Sequence, residues 1–382
     1  MRVLVAGAGV GGLTAAVAMR AAGLDVAVYE QMPEASRSLV GGGFHLWPNA
    51  VRALREVGLD QAAREQGAPI RWTQFHSWRG RQLAEWPIAD IAREVDAFDI
   101  GISRQDLMSL LYGAVDPAAV TPGVKLTGFE ERGSSVSARF ADGATADGDV
   151  LVGADGLRSQ VRTQLLGADE PDYAGYVQWQ TVVDGLGDLF PEGVERVTFG
   201  PGLRTVLHHV SGRRLFWACV TYGPADGAGK PTGRKQMLLE RFRGWPHPIE
   251  AAIEATPEEQ IVGLPIYDRK PIKAWGRGRV TLLGDAAHAM TTNTSQGGNL
   301  AIEDAVLLAR MLTAGGAPDH TLRSYEALRI ERTTPMVKNS HVISKVNAWR
   351  DPVRVRMRDR VFRIGLPRKG FNDLRRTVSA PL

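Results

Sequence analysis

The chain has 382 residues, of which 44% are hydrophobic and 23% are charged, and its formal net charge is +4. A chain of this length and composition can bury a substantial core, and it is more typical of two linked globular domains than of a fibrous or disordered protein. Its single cysteine, Cys219, excludes an intrachain disulfide and fits a cytoplasmic location. The mild basic excess does not itself indicate a nucleic-acid partner.

The first residues indicate neither a secretion signal nor a membrane span. Met1 and Arg2 lead directly into an apolar strand pattern, which leaves no room for a charged segment and a cleavable apolar segment. The uncharged run from residue 3 to residue 19 contains four glycines in its first half, and these suit a tight turn better than a membrane helix. We therefore expect no export and no integral membrane segment.

The sequence from residue 3 to residue 30 has the pattern of a strand, a glycine-rich turn, a helix and a second strand. In its turn, Gly7 permits a tight bend, Gly9 allows the backbone to approach a pyrophosphate, and Gly12 allows the helix to pack closely on the strand. Glu30 ends the second strand, where a carboxylate can bind an unphosphorylated adenosine ribose. This combination predicts a site for FAD or NAD. Because the chain has only one such fingerprint, we do not expect a reductase with two dinucleotide domains.

Two later segments repeat the design in which a buried strand delivers a carboxylate. Asp155 follows the apolar run 150–153, and Asp285 follows the run 280–283. In open α/β sheets, ligands bind at the carboxyl ends of the strands. Asp285 suits a hydroxyl-rich chain such as a ribityl group, because a carboxylate accepts hydrogen bonds from hydroxyls. Gly297 and Gly298 then open a helix, so its first amides can approach a ligand closely.

Four residues between these motifs are candidates for structural or ligand-binding roles. Gly43 ends a run of three glycines, where close approach to a flat ligand is plausible. His45 lies in an apolar strand pattern, and such a histidine is more often structural than catalytic. Ser103 is a candidate helix cap, and Arg104 in the first turn can hold phosphates or be a surface cation.

Antiparallel strand patterns dominate the middle of the chain. Residues 71–87 alternate in polarity, and residues 173–222 form several such runs broken by Gly-Pro and Ser-Gly turns. This pattern predicts a separate β-sheet domain inserted into the first one. The pair His208 and His209 can line an apolar substrate pocket, although core packing explains these residues equally well.

The last part of the chain is predicted to be helical. Val353, Met357, Val361 and Ile364 fall near one helical stripe, and ten basic residues lie between residues 350 and 376. We interpret this tail as a basic amphipathic helix that covers the core with its stripe and leaves its arginines in solvent. A nucleic-acid or membrane surface is the less favoured alternative.

With the glycine fingerprint, the Gly-Ala-Asp-Gly-Leu-Arg-Ser motif around Asp155 and the Gly-Asp motif at Asp285 in place, the chain resembles the single-component FAD-dependent aromatic hydroxylases, the para-hydroxybenzoate hydroxylase-like flavoprotein monooxygenases. The motifs occur in the order and spacing of that family, and the resemblance covers nearly the whole chain. It implies an α/β fold with a Rossmann-like FAD-binding domain, an inserted mixed or antiparallel β-sheet substrate domain and a helical C-terminus.

The resemblance also implies roles for individual residues around FAD. Gly12, Glu30 and Gln31 would contact the adenosine half of FAD, with Arg104 and Leu126 beside it. Asp155 would support the cofactor and reductant region, and Asp285 would bind the ribityl chain. Gly297, Gly298 and Asn299 would lie by the flavin ring. The corresponding segments are 1–70, 101–170 and 273–320 for FAD binding, 71–100 and 171–272 for the substrate domain, and 321–382 for the C-terminal helices. No metal site is predicted.

The implied activity is oxygenation. NADH or NADPH reduces the flavin, dioxygen forms a flavin hydroperoxide, and one oxygen atom passes to an aromatic or polyketide-like small molecule. A base that removes a phenolic proton assists this reaction, and His45 and His208 are the candidates. The resemblance leaves both a monomer and a homodimer possible.

The chain departs from the family pattern in one loop. Ala289 and Thr292 stand where relatives usually have proline, and Ser295 stands where they usually have glycine. Epoxidation, Baeyer-Villiger insertion and N-hydroxylation remain open within the same chemistry. The altered loop slightly favours a cyclase or isomerase that keeps FAD as a scaffold without redox turnover. A nucleic-acid-associated flavoprotein is a third hypothesis, which rests only on the basic tail.

Overall fold

A computed structural model describes residues 1–33, 42–225, 228, 230 and 232–382. Of the predicted glycine run, Gly41 lies outside the described residues, whereas Gly42 and Gly43 lie inside them. The strands, in chain order, are β1 Arg2–Ala6, β2 Asp25–Glu30, β3 Gly43–Leu46, β4 Ala68–Pro69, β5 Trp72–Ser77, β6 Gln82–Trp86, β7 Ile100–Ser103, β8 Val120–Pro122, β9 Leu126–Arg132, β10 Ser135–Phe140, β11 Thr145–Gly148, β12 Val150–Gly153, β13 Asp172–Val183, β14 Val194–Gly200, β15 Leu203–Val210, β16 Arg214–Tyr222, β17 Val262–Asp268 and β18 Val280–Leu282.

Helices alternate with these strands in the first half of the chain and predominate at its end. In chain order they are α1 Val10–Ala21, α2 Pro48–Glu56, α3 Asp60–Gln66, α4 Ile88–Glu94, α5 Arg104–Ala114, α6 Gln160–Leu166, α7 Arg234–Arg241, α8 Ile249–Ala255, α9 Asp285–His288, α10 Gly297–Thr313, α11 Pro318–Asn347, α12 Pro352–Gly365 and α13 Phe371–Ser379. A π-helical turn, Leu366–Gly370, connects α12 and α13.

A five-stranded parallel sheet forms the first layer, with the strand order β18-β12-β1-β2-β8. Its central strand β1 is apolar on both faces. Helices such as α1 and α10 and the small sheet β9 to β11 pack into the same hydrophobic core as β1. The carboxyl ends of β1, β2, β12 and β18 meet at one edge of this sheet. The glycine turn, Glu30, Asp155 and Asp285 therefore gather at that edge, as the sequence predicts.

A seven-stranded sheet forms the second domain, with the order β17-β13-β16-β15-β14-β5-β6. All its neighbours are antiparallel except β14 and β5, which are parallel. Its outer face packs under α7 and α8 around Trp179, Trp217 and Phe242. Its inner face is turned to the first domain, and the small antiparallel sheet β3-β7-β4 lies between the two. The predicted fold class is confirmed, whereas the exact segment boundaries stay a prediction.

The C-terminal helix α12 turns a different face to the core from the one predicted. Val355 and Arg358 are buried, and Phe362 packs on Phe199 with ring centroids 5.0 Å apart. The predicted core stripe is instead exposed to solvent, as the exposed fractions of its side chains show: Val353 70%, Met357 50%, Val361 58% and Ile364 66%. The prediction that this stripe covers the core is therefore wrong. Among the described residues, no helix has the length and apolarity needed to cross a bilayer.

Candidate active site

The glycine turn after β1 is shaped by contacts that exclude side chains. Gly7 has a φ of +101°, and a Cβ there would lie 2.4 Å from the carbonyl oxygen of Ala154. A Cβ on Gly12 would lie 2.0 Å from the carbonyl oxygen of Gly7, so only glycine lets α1 pack this closely on the turn. Gly9 caps α1, and nothing lies within 4 Å of the position of its absent Cβ. The turn thus presents open backbone at a helix start, which suits a phosphate group.

Glu30 links the end of β2 to this turn. Its carboxylate accepts hydrogen bonds from the backbone N–H of Ala8 at 2.7 Å and of Met32 at 2.8 Å. Each carboxylate oxygen retains a further lone pair, so a ribose hydroxyl can still donate to it. Gln31 is exposed beside it. Leu126, in contrast, is buried in the core at the start of β9, where it stands opposite Phe140 and presents no polar side chain to a ligand.

Asp155 leaves one of its oxygens without a protein partner. Its Oδ2 accepts from the backbone N–H of Gln160 at 2.7 Å and of Val161 at 3.2 Å, at the start of α6. Its Oδ1 is buried and makes no hydrogen bond with a described residue. Burial raises the pKa of this carboxyl, against the effect of those hydrogen bonds. An unsatisfied buried acceptor indicates a missing donor, such as a ligand hydroxyl or water.

Asp285 is accessible to solvent but lies between protein walls. The residue is exposed, but desolvation by the surrounding protein raises the pKa of its carboxyl. The nearby charges of His288 and Arg104 favour the ionised form and lower that pKa. Arg104 is also exposed at the start of α5, where Ser103 caps the helix as predicted, and it forms no ion pair with a described residue. A carboxylate and a guanidinium therefore face one accessible cleft.

A buried network holds the Gly284–Asp285 turn in place. Asp304 on α10 accepts from the backbone N–H of Gly284 at 3.0 Å, is 2.7 Å from His288 Nε2, and accepts from Arg329 Nε at 2.5 Å. Burial would raise the pKa of Asp304, but the charges of Arg329 and His288 outweigh it and lower that pKa to about 2. Arg329 also binds Glu303 at 2.9 Å. The turn is thus fixed before any ligand arrives, which reduces the entropy cost of binding.

The start of α10 connects the cleft to the second domain. A Cβ on Gly297 would lie 3.8 Å from Asp285 Oδ1, and one on Gly298 would collide with the ring of Phe44 at 2.2 Å. A Cβ on Gly43 would meet the ring of Phe216 at 2.5 Å. These contacts place Gly297, Gly298 and Gly43 along one path from Asp285 to the inner face of the large sheet.

Asn299 has a structural role in this path. Its side-chain oxygen accepts from the N–H of Trp47 at 2.9 Å, and its amide group donates to the carbonyls of His45 at 3.0 Å and of Ser295 at 2.7 Å. The residue is fully buried. Both amide hydrogens are therefore used within the protein, and Asn299 acts by fixing β3 and the preceding loop rather than by donating to a flavin ring.

His45 lies between two buried carboxylates. Its Nδ1 is 3.0 Å from Glu195 and its Nε2 is 2.6 Å from Asp99. Burial lowers the pKa of the imidazole, but the two carboxylates outweigh it and raise that pKa to about 10. The predicted role of His45 as a base does not fit this geometry, because neither ring nitrogen is free and the ring is already protonated at neutral pH. The cluster instead ties β3 to the substrate sheet.

Replacing His45 with glutamine should therefore destabilise the fold. The change leaves Asp99 and Glu195 without their shared cation, and breaking a buried ion pair costs about 3–5 kcal/mol. Since the folded-state pKa of His45 is raised, its contribution is complete below about pH 6.5 and is lost as the pH rises through about 10. Denaturant unfolding of both proteins across this range measures the difference. An equal free energy of unfolding at pH 6.5 would contradict this account of the cluster.

His208 is less constrained by hydrogen bonds than His45. It lies on the inner face of the sheet, with its ring 4.9 Å from that of Phe216. Burial lowers its pKa to about 4, so the imidazole is neutral at pH 7, and its Nδ1 makes no hydrogen bond with a described residue. His209, in contrast, points to the other face, and its Nε2 is 2.8 Å from the carbonyl of Gly187. The role of His208 as a base stays a prediction, because its low pKa makes the imidazole a weak proton acceptor at neutral pH, whereas His209 is structural.

The inner face of the large sheet has small side chains at its centre. Small side chains, Ala218 and Val220, lie between the half-buried Gln178 and Val206 on neighbouring strands. A Cβ on Gly42 would lie 2.3 Å from Gln180 Nε2, so the glycine segment forms the opposite wall. We call the region of the inner face bounded by these residues the substrate chamber. It adjoins the cleft through Gly43 and Phe216.

Arg204 is the charged residue of this chamber that sequence reasoning missed. Its exposed fraction is 4%, its Nε has no partner, and it forms neither a hydrogen bond nor an ion pair with a described residue. Its charge lowers the pKa values of Tyr176 and Tyr222, which burial raises. A buried guanidinium without an anion is costly, which makes Arg204 a candidate to bind an anionic group. The sequence contained a signal, because Arg204 occupies an inward position of a strand face that otherwise carries Val206, His208 and Val210.

Known proteins are similar to this chain over most of its length. A family described as "FAD binding domain" matches residues 1–183 and 256–340, which is more than half of the chain. The aurachin C monooxygenase/isomerase of Stigmatella aurantiaca is 38% identical over 95% of this chain and 94% of its own. The 6-hydroxynicotinate 3-monooxygenase of Pseudomonas fluorescens is 36% identical over 92% of this chain and 93% of its own. The chain belongs to the FAD-dependent monooxygenases.

A solved structure supports the same assignment. Klebsiella pneumoniae HpxO, complexed with FAD and uric acid, matches this monooxygenase with a TM-score of 0.92 and 30% identity, over 100% of this chain and 97% of that one. The predicted family, enzyme class and cofactor are confirmed. The cleft also fits FAD on its own geometry, because an open glycine turn, an unpaired buried carboxylate oxygen and an accessible carboxylate follow one another along it.

The altered loop of this monooxygenase is tied to the substrate chamber. The N–H of Thr292 donates to Tyr176 Oη at 3.0 Å, its Oγ1 is 3.0 Å from the same hydroxyl, and its Oγ1 donates to Gln178 at 2.7 Å. The proline that relatives usually have here lacks both the N–H and the hydroxyl. Ser295 adopts a φ of +52°, a conformation that suits the usual glycine better. The loop is therefore held by polar contacts in place of stiff residues.

A double-mutant cycle tests this link. Thr292→Pro and Tyr176→Phe each remove the same pair of hydrogen bonds, so their effects on the free energy of unfolding should not add. We expect a coupling of about 1–3 kcal/mol, which is typical of residues in one network. Denaturant unfolding of the two single variants and the double variant measures it. Additive effects would show that the loop and the sheet are independent.

Proposed function

We propose that this monooxygenase hydroxylates a small nitrogen-containing aromatic ring that carries an ionisable hydroxyl group. The observation that carries the proposal is the buried, unpartnered Arg204 in the substrate chamber. Relatives are named for 6-hydroxynicotinate and, in Klebsiella pneumoniae at 33% identity over 88% of this chain, for urate. Both compounds are nitrogen-containing rings with oxygen substituents that can carry negative charge. An oxyanion of this kind supplies the counter-ion that Arg204 lacks.

We infer that FAD is held by the residues along the cleft, which supply hydrogen-bond donors, acceptors and open backbone for its successive parts: Gly7, Gly9, Gly12, Glu30, Gln31, Gly43, Arg104, Asp155, Asp285, Gly297 and Gly298. Reduced FAD supplies the activation of dioxygen, with NADH or NADPH as the reductant. The overall reaction balances as ring C–H, dioxygen, NAD(P)H and one proton giving ring C–OH, water and NAD(P)⁺.

The chain's own residues prepare the ring for this reaction. Arg204 stabilises the ionised hydroxyl, because a charge-assisted hydrogen bond from a guanidinium favours the anion. An ionised hydroxyl makes the ring carbons beside it more electron-rich. His208 lies on the same face of β15, about 13 Å along the strand with Val206 between them. Because its pKa of about 4 makes it a weak base, the ionised state of the hydroxyl depends on Arg204 rather than on proton transfer to this imidazole. The apolar floor at Ala218 and Val220 excludes water from the ring.

A panel of ring compounds tests the proposal. NADH and NADPH oxidation and oxygen uptake are followed with 6-hydroxynicotinate, urate, 4-hydroxybenzoate and an isosteric ring that lacks the hydroxyl. We expect the hydroxylated nitrogen rings to stimulate reductant oxidation and to yield a product, and the ring without a hydroxyl to do neither. Equal turnover of the ring that lacks a hydroxyl would contradict the role of the anion.

Oxygen transfer followed by isomerisation is a second candidate function. The relative from Stigmatella aurantiaca, at 38% identity, is named both a monooxygenase and an isomerase. The polar loop at Thr292, which departs from the usual family sequence, reaches into the same chamber. The structure of the product distinguishes the two functions, because a rearranged carbon skeleton supports the second and simple ring hydroxylation supports the first.

A further inference from the structure

The exposed face of α12 carries a continuous apolar stripe. Val353, Met357, Val361 and Ile364 are each at least half exposed, and their spacing places them within about 80° of the helix circumference. The stripe runs about 17 Å along the helix. Isolated exposed apolar residues are ordinary, but a contiguous apolar surface indicates an interaction site.

The core contacts of α12 leave this stripe pointing outward. Arg358 is buried, donates to the carbonyl of Gly200 at 2.9 Å, and pairs with Asp359 at 2.9 Å. Phe362 packs on Phe199, and Val355 is buried beside them. These residues occupy the side of the helix opposite the stripe. The helix is therefore held in a fixed orientation on the substrate sheet, and binding through the stripe would not require it to fold.

Arginines flank the stripe on both sides. Arg354 lies along one border, and Arg356, Arg360 and Arg363 lie along the other. All four are exposed, and none forms an ion pair with a described residue. The acidic residue within α12, Asp359, is already paired with Arg358. The surface is thus an apolar centre between two positively charged borders.

We propose that this face of α12 binds the surface of a bilayer rich in anionic lipid. A helix that lies in the interface buries its apolar stripe at the level of the acyl chains, while flanking arginines reach the phosphate groups. A second copy of the chain fits less well, because pairing two such stripes would bring the arginine borders together without exposed carboxylates on the helix to neutralise them. A nucleic acid fits less well too, because it gives the exposed valine, methionine and isoleucine side chains no apolar partner.

The position of α12 gives this binding a consequence for the enzyme. Phe199, on which the helix packs, is the register partner of Arg204 on the neighbouring strand. A bilayer under α12 therefore lies on the side of the molecule where the substrate sheet and its chamber are found. The proposal itself does not depend on the identity of the substrate.

Co-sedimentation of the FAD-loaded enzyme with vesicles tests the proposal. The vesicles are phosphatidylcholine alone, or phosphatidylcholine with about one-third phosphatidylglycerol, at low and high salt. We expect binding to the anionic vesicles at low salt, with weaker binding at high salt and to the neutral vesicles. The double variant Met357→Asp with Val361→Asp should bind at least about tenfold more weakly.

Matched variants separate the stripe from a general effect of added charge. Leu328 and Val342 on α11 are 51% and 58% exposed, so Leu328→Asp with Val342→Asp adds the same charge elsewhere and should retain most of the binding. Arg356→Gln with Arg360→Gln should remove the preference for anionic vesicles. All variants should keep bound FAD and substrate-stimulated turnover in solution, because the changed side chains are exposed and distant from the cleft.

Three results would overturn the proposal. The first is that the wild-type enzyme stays in the supernatant with anionic vesicles at low salt. The second is that the stripe variant sediments with the vesicles as the wild type does. The third is that light scattering shows a wild-type dimer and a monomer for the stripe variant, which would identify the stripe as an interface between two copies.

Discussion

Replacing Asp285 with alanine is expected to remove most of the affinity for FAD while leaving the apoprotein folded. The carboxylate is accessible in the cleft and makes no hydrogen bond with a described protein group, so the fold does not depend on it. Since surrounding protein already disfavours its charge, its loss should not destabilise the apoprotein. A hydrogen bond to a charged group contributes about 1.5–3 kcal/mol, which corresponds to a loss of roughly 10-fold to 100-fold in affinity.

Titration of the deflavinated protein with FAD, followed by flavin fluorescence, measures this effect. Asp285→Asn is the matched control, because it retains an acceptor oxygen without the charge and should lie between the wild type and the alanine variant. Far-ultraviolet circular dichroism and thermal unfolding of the apoproteins show whether the fold is intact. If the alanine variant binds FAD with wild-type affinity, Asp285 is not a cofactor residue.

Replacing Arg204 with methionine is expected to increase stability and to reduce substrate binding in the same variant. The guanidinium is buried without an anion when no substrate is present, so an apolar side chain of similar length should raise the free energy of unfolding by about 1–3 kcal/mol. The same change removes the charge-assisted hydrogen bond to the substrate oxyanion. We expect KM to rise roughly 10-fold to 100-fold.

Thermal unfolding of the FAD-loaded enzyme and steady-state kinetics measure the two effects. Arg204→Lys retains the charge but not the planar pair of donors, and it should recover part of the substrate affinity without the gain in stability. A destabilised Arg204→Met variant with an unchanged KM would show that the arginine has a structural role. A gain in stability together with a rise in KM distinguishes substrate binding from simple packing. Replacing a residue that only packs would lower both the stability and the substrate affinity.

Local patterns were sufficient to predict that the glycine turn and three carboxylates meet at one edge of the parallel sheet. The glycine turn, Glu30, Asp155 and Asp285 each follow a strand, and parallel strands of one sheet end at the same edge. Once the strands were recognised, their convergence followed from the topology of the fold. Asn299 was predicted to lie by the flavin ring, which stays a prediction. Its hydrogen bonds to Trp47 and His45 depend on a segment about 250 residues earlier in the chain, which no local pattern reveals.

The substrate chamber could not be predicted in the same way. Arg204 and Glu195 come from strands whose register is set only by the folded sheet, and Asp99 directly precedes β7. Asp99 and Glu195 stand 54 and 150 positions from His45, so the ion cluster has no sequence spacing to recognise. His45 therefore resembled a candidate base until both of its nitrogens were seen to be occupied.

The tail shows the limit of periodicity. The spacing of Val353, Met357, Val361 and Ile364 correctly indicated one apolar stripe on a helix, and helix α12 is present. Periodicity does not state which face meets the core when a second apolar face competes. Val355 and Phe362, with the buried Arg358, form that second face, and the aromatic contact with Phe199 favours it.

Oxygen-isotope labelling tests the central claim of the account most directly. The claim is that the substrate chamber and the FAD cleft form one site for oxygen transfer to an anionic ring. The FAD-loaded enzyme is incubated with NADH or NADPH, ¹⁸O-labelled dioxygen and the ring compound that best stimulates reductant oxidation. The account predicts a product that contains one labelled oxygen atom and that forms only when the reductant is present. An unlabelled product, formed from oxidised FAD without any reductant, would contradict it.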